Sequence, residues 1–149
     1  MEFQDFETEF IQRTLMILQQ YDQYAPVDKE KFEVTLLINC LVALLVLPQQ
    51  KRFNEIPDIS IDLLGEWGIR PEFISCWGTG VPRPTLRALV HRLRNSVSHL
   101  QIEPKGDGKE ITQIEFRDRN GFCAAIPVSS LNLFVRKFAG SFAGVQALY

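Results

Sequence analysis

The chain of 149 residues is predicted to be mainly α-helical, with four main helices and a small β-hairpin before the last one. Three observations predict this fold: an apolar run at residues 34–47, an amphipathic stretch at 84–100, and an Asn120-Gly121 pair between two short segments. Apolar residues at helical spacing indicate helices, whereas Asn-Gly favours a tight hairpin turn. No domain boundary is apparent, so we expect one domain over residues 1–149.

The first two predicted helices are separated by Pro26. Residues 3–24 carry apolar side chains at helical spacing, with acids early in the segment, where they complement the helix dipole. Asp28 can cap the second helix, which should end at Pro48 because proline lacks the backbone N–H of a helix interior. This second helix is apolar nearly all round, so we expect it at the centre of a bundle. It falls short of the roughly 20 apolar residues that a bilayer span needs, and we expect no membrane association.

A long connection, Pro48–Pro84, is rich in proline and glycine and predicts only a short helix near 58–65. Its two tryptophans, Trp67 and Trp77, either anchor the connection to the core or form a rim on which bases stack. The third helix should start at Pro84 and bury a stripe of apolar residues as far as Leu100.

The last third of the sequence predicts a hairpin and a helix. Residues 111–117 and 122–128 are the two predicted strands, joined by a two-residue turn at Asn120-Gly121. Ser129 or Ser130 is expected to cap the last helix, whose apolar face extends to Val145. We expect the hairpin and the long connection to supply specificity, because such elaborations commonly carry recognition.

Composition excludes several classes of protein. The formal net charge of −2 disfavours a broad nucleic-acid-binding surface, so any anion recognition should be local. The three scattered cysteines suggest free thiols in a reducing compartment, which favours a cytoplasmic location. The two histidines do not form a zinc pattern, and no metal or other cofactor is expected. The acidic N-terminus does not resemble a signal peptide.

One stretch has an unusual charge pattern. Residues 73–102 contain no Asp, Glu or Lys, but they contain both histidines and four arginines. A solvated helix face normally mixes charges of both signs, so this segregation favours a functional surface over a merely soluble one. The basic residues concerned are Arg83, Arg87, His91, Arg92, Arg94 and His99.

The predicted third helix places its polar residues away from the apolar stripe. His91, Asn95 and His99 recur every four residues and form a ridge, with Ser98 beside it. Arg94 and His99 lie about 140° apart on an ideal helix. Either the helix distorts near its end or two copies of it meet, and a two-fold homodimer would place both motifs around one cleft.

These residue types suit metal-independent cleavage of RNA. Histidine moves protons near neutral pH, and arginine grips phosphate oxygens with a bidentate fork. Asparagine can hold an imidazole or a ribose through hydrogen bonds. Without nearby carboxylates for Mg²⁺, the available nucleophile is the 2′-hydroxyl of the RNA itself, with His99 as acid or base and Arg94 stabilising the phosphorane.

The run Arg94-Asn95-Ser96-Val97-Ser98-His99 resembles the Arg-polar-x-x-x-His signature of the HEPN superfamily. The apolar run from Leu36 through Pro48-Gln49 is similar to a plasmid-borne branch of HEPN proteins that are often predicted to be toxins. The resemblance implies a HEPN-like antiparallel four-helix bundle, a homodimer and a ribonuclease site made of two motifs. It also implies a toxin of a toxin–antitoxin or defence system, with RNA as substrate and a cognate antitoxin protein as partner.

The predicted function is therefore a metal-independent endoribonuclease with Arg94, Asn95 and His99 as catalytic residues. The residues that we assign to substrate binding share the same helix; they are Arg87, His91, Arg92 and Ser98. One alternative is a non-catalytic HEPN-like module that binds a nucleotide, RNA or a protein. Another is a helical interaction protein in which the motif occurs by chance.

Overall fold

The computed structural model describes residues 6–24, 33–42, 56–80 and 83–142. Within these ranges the helices are α1 (Phe6–Tyr24), α2 (Glu33–Leu41), α3 (Leu86–Ser98) and α4 (Val128–Phe142). The strands are β1 (Ile74–Cys76), β2 (Ile102–Gly106), β3 (Ile111–Arg117) and β4 (Cys123–Pro127).

The strands correct the predicted fold class. All four form one antiparallel sheet in the order β1-β4-β3-β2, so the chain has a mixed α/β fold and is not a four-helix bundle with a small hairpin. The predicted hairpin is present as the central pair, β3 and β4. The prediction was wrong because it missed both edge strands of the sheet.

The two missed strands lack the usual sequence signals. Strand β1 has three residues and directly follows a 3₁₀ turn at Pro71–Phe73, so it is too short to show alternation. Strand β2 contains Pro104 and ends at Gly106, and both residue types are depleted in strands and favour turns. Proline is tolerated in β2 because it is an edge strand, where one row of backbone groups needs no partner.

The helices lie close to the predicted segments. Helix α1 ends at Tyr24, and α3 occupies the centre of the predicted 84–100 segment. The last helix begins at Val128, directly after β4 and slightly before the expected caps. Two 3₁₀ turns, Ile61–Leu63 and Gly65–Trp67, replace the short helix expected near 58–65. The expected cap at Asp28, the stop at Pro48 and the end near Val145 lie outside the described residues.

The core lies between the sheet and the helices. Strand β4 and the residue before it alternate as expected for a half-buried strand, with Phe122, Ala124 and Ile126 buried. Helix α3 packs against β3, while α4 contacts the sheet and also α1 and α2. Both tryptophans are half-buried, with rings 6.3 Å (Trp67–Phe134) and 6.0 Å (Trp77–Phe122) from core phenylalanines, which fits the anchoring interpretation.

Candidate active site

Helix α3 is fixed at its start by the segment that precedes it in the long connection. Thr85 caps the helix, accepting a hydrogen bond from the N–H of Ala88 through its hydroxyl oxygen at 3.3 Å. The N–H of Leu86 donates to the carbonyl of Ile59 at 2.8 Å, and Ser60 and Thr85 form a β-bridge. The connection therefore holds the first turn of α3 in place.

Arg92 is the most deeply placed charged residue on α3. It is 3% exposed, and its Nη1 donates to Asp118 Oδ2 at 3.0 Å. Its Nη2 donates to the carbonyl of Thr79, while its Nε is buried without a hydrogen-bond partner. Because Arg92 is sealed and engaged by its own protein, we assign it to holding the walls of the site together and not to contacting substrate.

Asp118 is the anion that accepts this arginine. Burial raises the pKa of Asp118, but the backbone N–H groups of Phe122 and Asn120 and then Arg92 hold that pKa below its ordinary value. The hydrogen bonds to Oδ1 are 2.8 Å from Asn120 N and 3.0 Å from Phe122 N. Asp118 is therefore a carboxylate at neutral pH, and it organises the turn between β3 and β4.

That turn is longer than predicted. Arg117 pairs with Cys123 across the two strands, so residues 118–122 form a five-residue loop in place of the two-residue Asn120-Gly121 turn. Gly121 has a positive φ of 91°, whereas Asn120 does not share the positive φ that a type I′ turn requires. The side chain of Asp118 replaces the missing strand pairing by accepting the backbone N–H groups of the loop.

A second loop, residues 77–80, packs against residues 118–122. The N–H of Thr79 donates to the carbonyl of Asn120 at 2.9 Å. A Cβ atom at Gly78 would overlap that same carbonyl oxygen, and the φ of Gly78 is +77°. Only glycine fits this approach, so the two loops form one wall beside α3.

Between this wall and α3 lies a cleft of about 410 Å³. Arg83, Arg87 and His91 line it, with Asp58 opposite Arg83 and the buried Arg92 beneath. Arg83 Nη2 lies 3.0 Å from Asp58 Oδ2, and Arg87 Nε donates to the carbonyl of Ile56 at 2.6 Å. The cleft therefore collects positive charge at the N-terminal half of α3.

His91 is exposed in this cleft, and its pKa is lowered from the ordinary histidine value. Burial of part of the ring is the main cause, followed by the positive charges of Arg92 and Arg94, with Asp118 acting in the opposite direction. His91 is therefore mostly neutral at neutral pH, and its imidazole can both donate and accept a hydrogen bond.

The motif residues lie at the other end of α3. Arg94 and Asn95 are half-buried, whereas Ser98 and His99 are exposed. The helix ends at Ser98, and His99 is its C-cap residue, with its N–H 3.2 Å from the carbonyl of Asn95. Regular helix geometry thus stops immediately before the histidine, as in one of the two arrangements considered for the motif.

The chain leaves the helix through a left-handed residue. Leu100 has a φ of 54°, and it alone has a positive φ among the non-glycine residues that the structure describes. The N–H groups of Gln101 and Leu100 donate to Ser96 (2.7 Å) and Val97 (3.1 Å), which is a Schellman ending normally built with glycine. Leu100 is 77% exposed, although the sequence placed it on the buried stripe.

The predicted site residues therefore divide into two groups along one helix. Arg87, His91 and Arg92 line the cleft. Arg94 and Asn95 follow within the next turn, and Ser98 and His99 stand at the exposed end of the helix. His99 is not sealed in the core, and the catalytic assignment stays a prediction.

Several residues that build the cleft from outside α3 were not predicted from the sequence. They are Asp58, Thr79, Asn120 and Asp118. Asp118 gave one usable signal, since it lies two residues before Asn120, and aspartate side chains in turns commonly accept the backbone N–H two residues on. Its pairing with Arg92, 26 residues away, has no local signature.

Two further observations concern membrane-spanning helices and metal-binding side chains. No helix in the described ranges is long and apolar enough to cross a membrane. Across the residues that the structure places, no three histidine, cysteine or acidic side chains are grouped so that they could hold a metal ion.

Comparison with known proteins places the chain in a family. No curated protein and no solved structure matches it. A family model described as HEPN pEK499 p136 matches residues 1–144, which is nearly the whole chain and includes the cleft and the Arg94–His99 motif. The chain therefore belongs to the HEPN pEK499 p136 family, and the predicted resemblance to a plasmid-borne HEPN branch is confirmed.

Proposed function

We propose that this HEPN protein is a metal-independent endoribonuclease that cleaves RNA at the end of α3. The observation that carries the proposal is the Arg94-Asn95-x-x-x-His99 motif, whose histidine is exposed at a helix end in a chain of this family. Membership of the family agrees with a ribonuclease or a nucleotide-binding function, and the residue types at this end favour the first.

The chemistry assigns one role to each residue. His99 takes the proton of the ribose 2′-hydroxyl, whose oxygen attacks the adjacent phosphorus to form a phosphorane. Arg94 stabilises the extra negative charge, and Asn95 orients the ribose or the imidazole. The 5′-oxygen then leaves with a proton, which gives a 2′,3′-cyclic phosphate and a 5′-hydroxyl. DNA lacks the nucleophile and should be inert.

A second copy of the chain completes this site in our proposal. One His99 cannot at the same moment accept the proton of the nucleophile and donate one to the leaving oxygen, whereas two motifs around a two-fold axis supply both groups. The exposed Leu100 beside His99 offers apolar surface for the contact. Light scattering should show a dimer that Leu100→Asp dissociates. Leu63→Asp, at an equally exposed leucine elsewhere, should leave it intact.

The cleft at the other half of α3 would bind the substrate backbone. Arg87, His91 and Ser98 lie along one side of the helix and span about 17 Å, which accommodates a few nucleotides. Arg83 and Arg87 would attract phosphates, and the neutral His91 would donate or accept a hydrogen bond. Arg92 would act from beneath by holding the wall of the cleft.

The decisive experiment measures RNA cleavage in EDTA. Wild-type protein should cleave, and His99→Ala or Arg94→Ala should each lower the rate about 10²-fold or more. Arg94→Lys should restore little, because a point charge does not reproduce the bidentate fork. Arg70→Ala is the matched control, because it removes an exposed arginine that lies outside α3 and before the motif in the sequence. This variant should retain full activity. Complete loss of cleavage in EDTA, or equal cleavage of DNA, would overturn the mechanism.

We further propose that the activity is that of a toxin controlled by a cognate antitoxin protein. Expression of the wild-type chain should then arrest growth, and His99→Ala should abolish the arrest. Co-expression of the antitoxin should restore growth without altering the amount of the toxin. Growth arrest that persists in His99→Ala would separate toxicity from the motif.

The second candidate function is a binding module without catalysis. The observation in its favour is that the cleft lined by Arg83, Arg87 and His91 is formed without the motif residues Arg94 and His99. In that case nucleotide or RNA binding, measured by fluorescence anisotropy, should be lost in Arg87→Ala and unchanged in His99→Ala, and no cleavage should occur.

A further inference from the structure

Two cysteines face each other at one edge of the sheet. Cys76 ends β1 and is the register partner of Cys123, which begins β4. Opposite residues in an antiparallel pair have Cα atoms about 4.5–5.5 Å apart. A disulfide requires Cα atoms about 4.4–6.8 Å apart, so the backbone spacing suits a bond between these two residues.

An irregularity in β1 turns both side chains to the same face. Ile74 pairs with Ala124, and both are buried. Between that pair and the next, β1 has one additional residue, which is the pattern of a β-bulge. Strict alternation would send Cys76 back to the core with Ile74, but Cys76 is exposed. It therefore shares the outer face with Cys123, whose neighbours Phe122 and Ala124 point inward.

The third cysteine provides an internal contrast. Cys40 is buried on α2, and burial raises its pKa to about 11, with Arg136 acting weakly in the opposite direction. It stays a protonated, inaccessible thiol at neutral pH, and thiols of that kind react slowly. Cys76 is exposed and Cys123 is half-buried, so an oxidant can reach the facing pair but not Cys40.

We propose that Cys76 and Cys123 are a reversible modification site, joined as a cross-strand disulfide by a small disulfide oxidant such as glutathione disulfide. The Cys76 thiolate attacks one sulfur of the oxidant and releases one glutathione, leaving a mixed disulfide. The Cys123 thiolate then attacks the sulfur of Cys76 and releases the second glutathione. The protein loses two electrons and two protons, and the oxidant becomes two molecules of glutathione thiol.

The Cys76–Cys123 disulfide would restrict the loop of residues 77–80, which forms part of the cleft wall. Trp77 and residues 78–80 follow Cys76 directly, and Thr79 already bonds to Asn120 and Arg92. A covalent link at Cys76 would fix the start of this loop to β4. The crosslink also constrains the unfolded chain between residues 76 and 123, so we expect a rise in Tm of roughly 5–10 °C. Only the consequence for the cleft rests on the proposed function.

The test uses purified full-length protein and glutathione disulfide. After oxidation, removal of the oxidant and alkylation of the remaining thiols in denaturant, intact mass should show the loss of two hydrogen atoms and one alkylated cysteine, Cys40. Peptide mapping should find the Cys76–Cys123 link, and dithiothreitol should reverse it and lower the Tm again. Cys40→Ser should form the Cys76–Cys123 link as the wild type does, whereas Cys76→Ser and Cys123→Ser should not form it.

Three outcomes would overturn the proposal: a stable glutathione adduct at Cys76 without the second step, a disulfide between two chains, or a link that includes Cys40. Peptide mapping of the wild-type protein distinguishes them, so the test stands even if a serine variant folds poorly. No RNA is involved, and failure of the ribonuclease proposal would leave this result unaffected.

Discussion

The two halves of α3 differ in how many of their polar side chains are held by hydrogen bonds and ion pairs within the protein. In the first half, Arg87 bonds to a backbone carbonyl and Arg92 is clamped between Thr79 and Asp118. At the C-terminal end of α3, Ser98 and His99 are exposed, and the next residue, Leu100, has a left-handed backbone conformation. The difference indicates that stability is concentrated at the first half of the helix and that the second end is available for chemistry.

The largest effect should come from breaking the buried pair. Asp118→Ala leaves the Arg92 charge buried without its partner, and loss of one member of a buried ion pair costs about 3–5 kcal/mol. Urea unfolding measures it. Asp58→Ala, which breaks the exposed pair with Arg83, is the control and should cost within about 0.5 kcal/mol. Similar losses in the two variants would show that burial does not make the Arg92–Asp118 pair more important for stability than the exposed pair.

The motif end should show the reverse behaviour. His99→Ala should lower RNA cleavage by about 10²-fold or more, the usual scale for losing a proton-transfer group, while unfolding free energy changes within about 0.5 kcal/mol. The reason is that His99 is exposed and its backbone, not its ring, makes the helix-ending bond. A large loss of stability in this variant would mean that His99 is a structural residue.

A gain of stability is expected one residue later. Leu100→Gly should raise the unfolding free energy by about 1 kcal/mol, because glycine adopts the left-handed conformation without the steric cost that leucine has. Little packing is lost, since the side chain is largely exposed. Gln101→Gly, at the next residue and outside the left-handed position, is the control and should not stabilise. Unfolding should be measured at a concentration where the chain is monomeric.

The smallest effect should be seen in how the unfolding free energy depends on pH under acidic conditions. The pKa of Asp118 is lowered in the folded chain, so its ionisation stabilises the fold above the unfolded value of about 3.9 and the contribution is lost as pH falls through the folded pKa. Unfolding free energy measured between roughly pH 5 and pH 2, on either side of the ordinary carboxyl pKa, should fall less steeply in Asp118→Asn than in wild type. Parallel curves would show that Asp118 is not held ionised by these contacts.

Local patterns in the sequence predicted much of the fold. Helices α1 and α3 and the β3–β4 pair have periodic side chains, and they lie where they were expected. The edge strands could not be predicted, because β2 carries Pro104 and β1 is stabilised by pairing with residues nearly 50 positions later. The error in fold class follows from that difference between local and long-range determinants.

The candidate site divides in the same way. The motif is contiguous, so the sequence alone indicated Arg94, Asn95 and His99. The cleft depends on Asp118 and Thr79, which meet Arg92 only after the chain folds. Arg92 illustrates the limit of the helical wheel, which places it off the apolar stripe but cannot show that a loop covers it.

The contact of Gly78 with the carbonyl of Asn120 limits how the sequences of the 77–80 and 118–122 loops can change between homologues. A side chain at residue 78 is sterically excluded as long as the 118–122 loop keeps its path, and a change in that path removes the acceptor for Thr79. The two loops must therefore be exchanged between homologues as a matched pair. Chimeras that carry one loop without the other should fold poorly, whereas chimeras that carry both can acquire a new specificity on an unchanged scaffold.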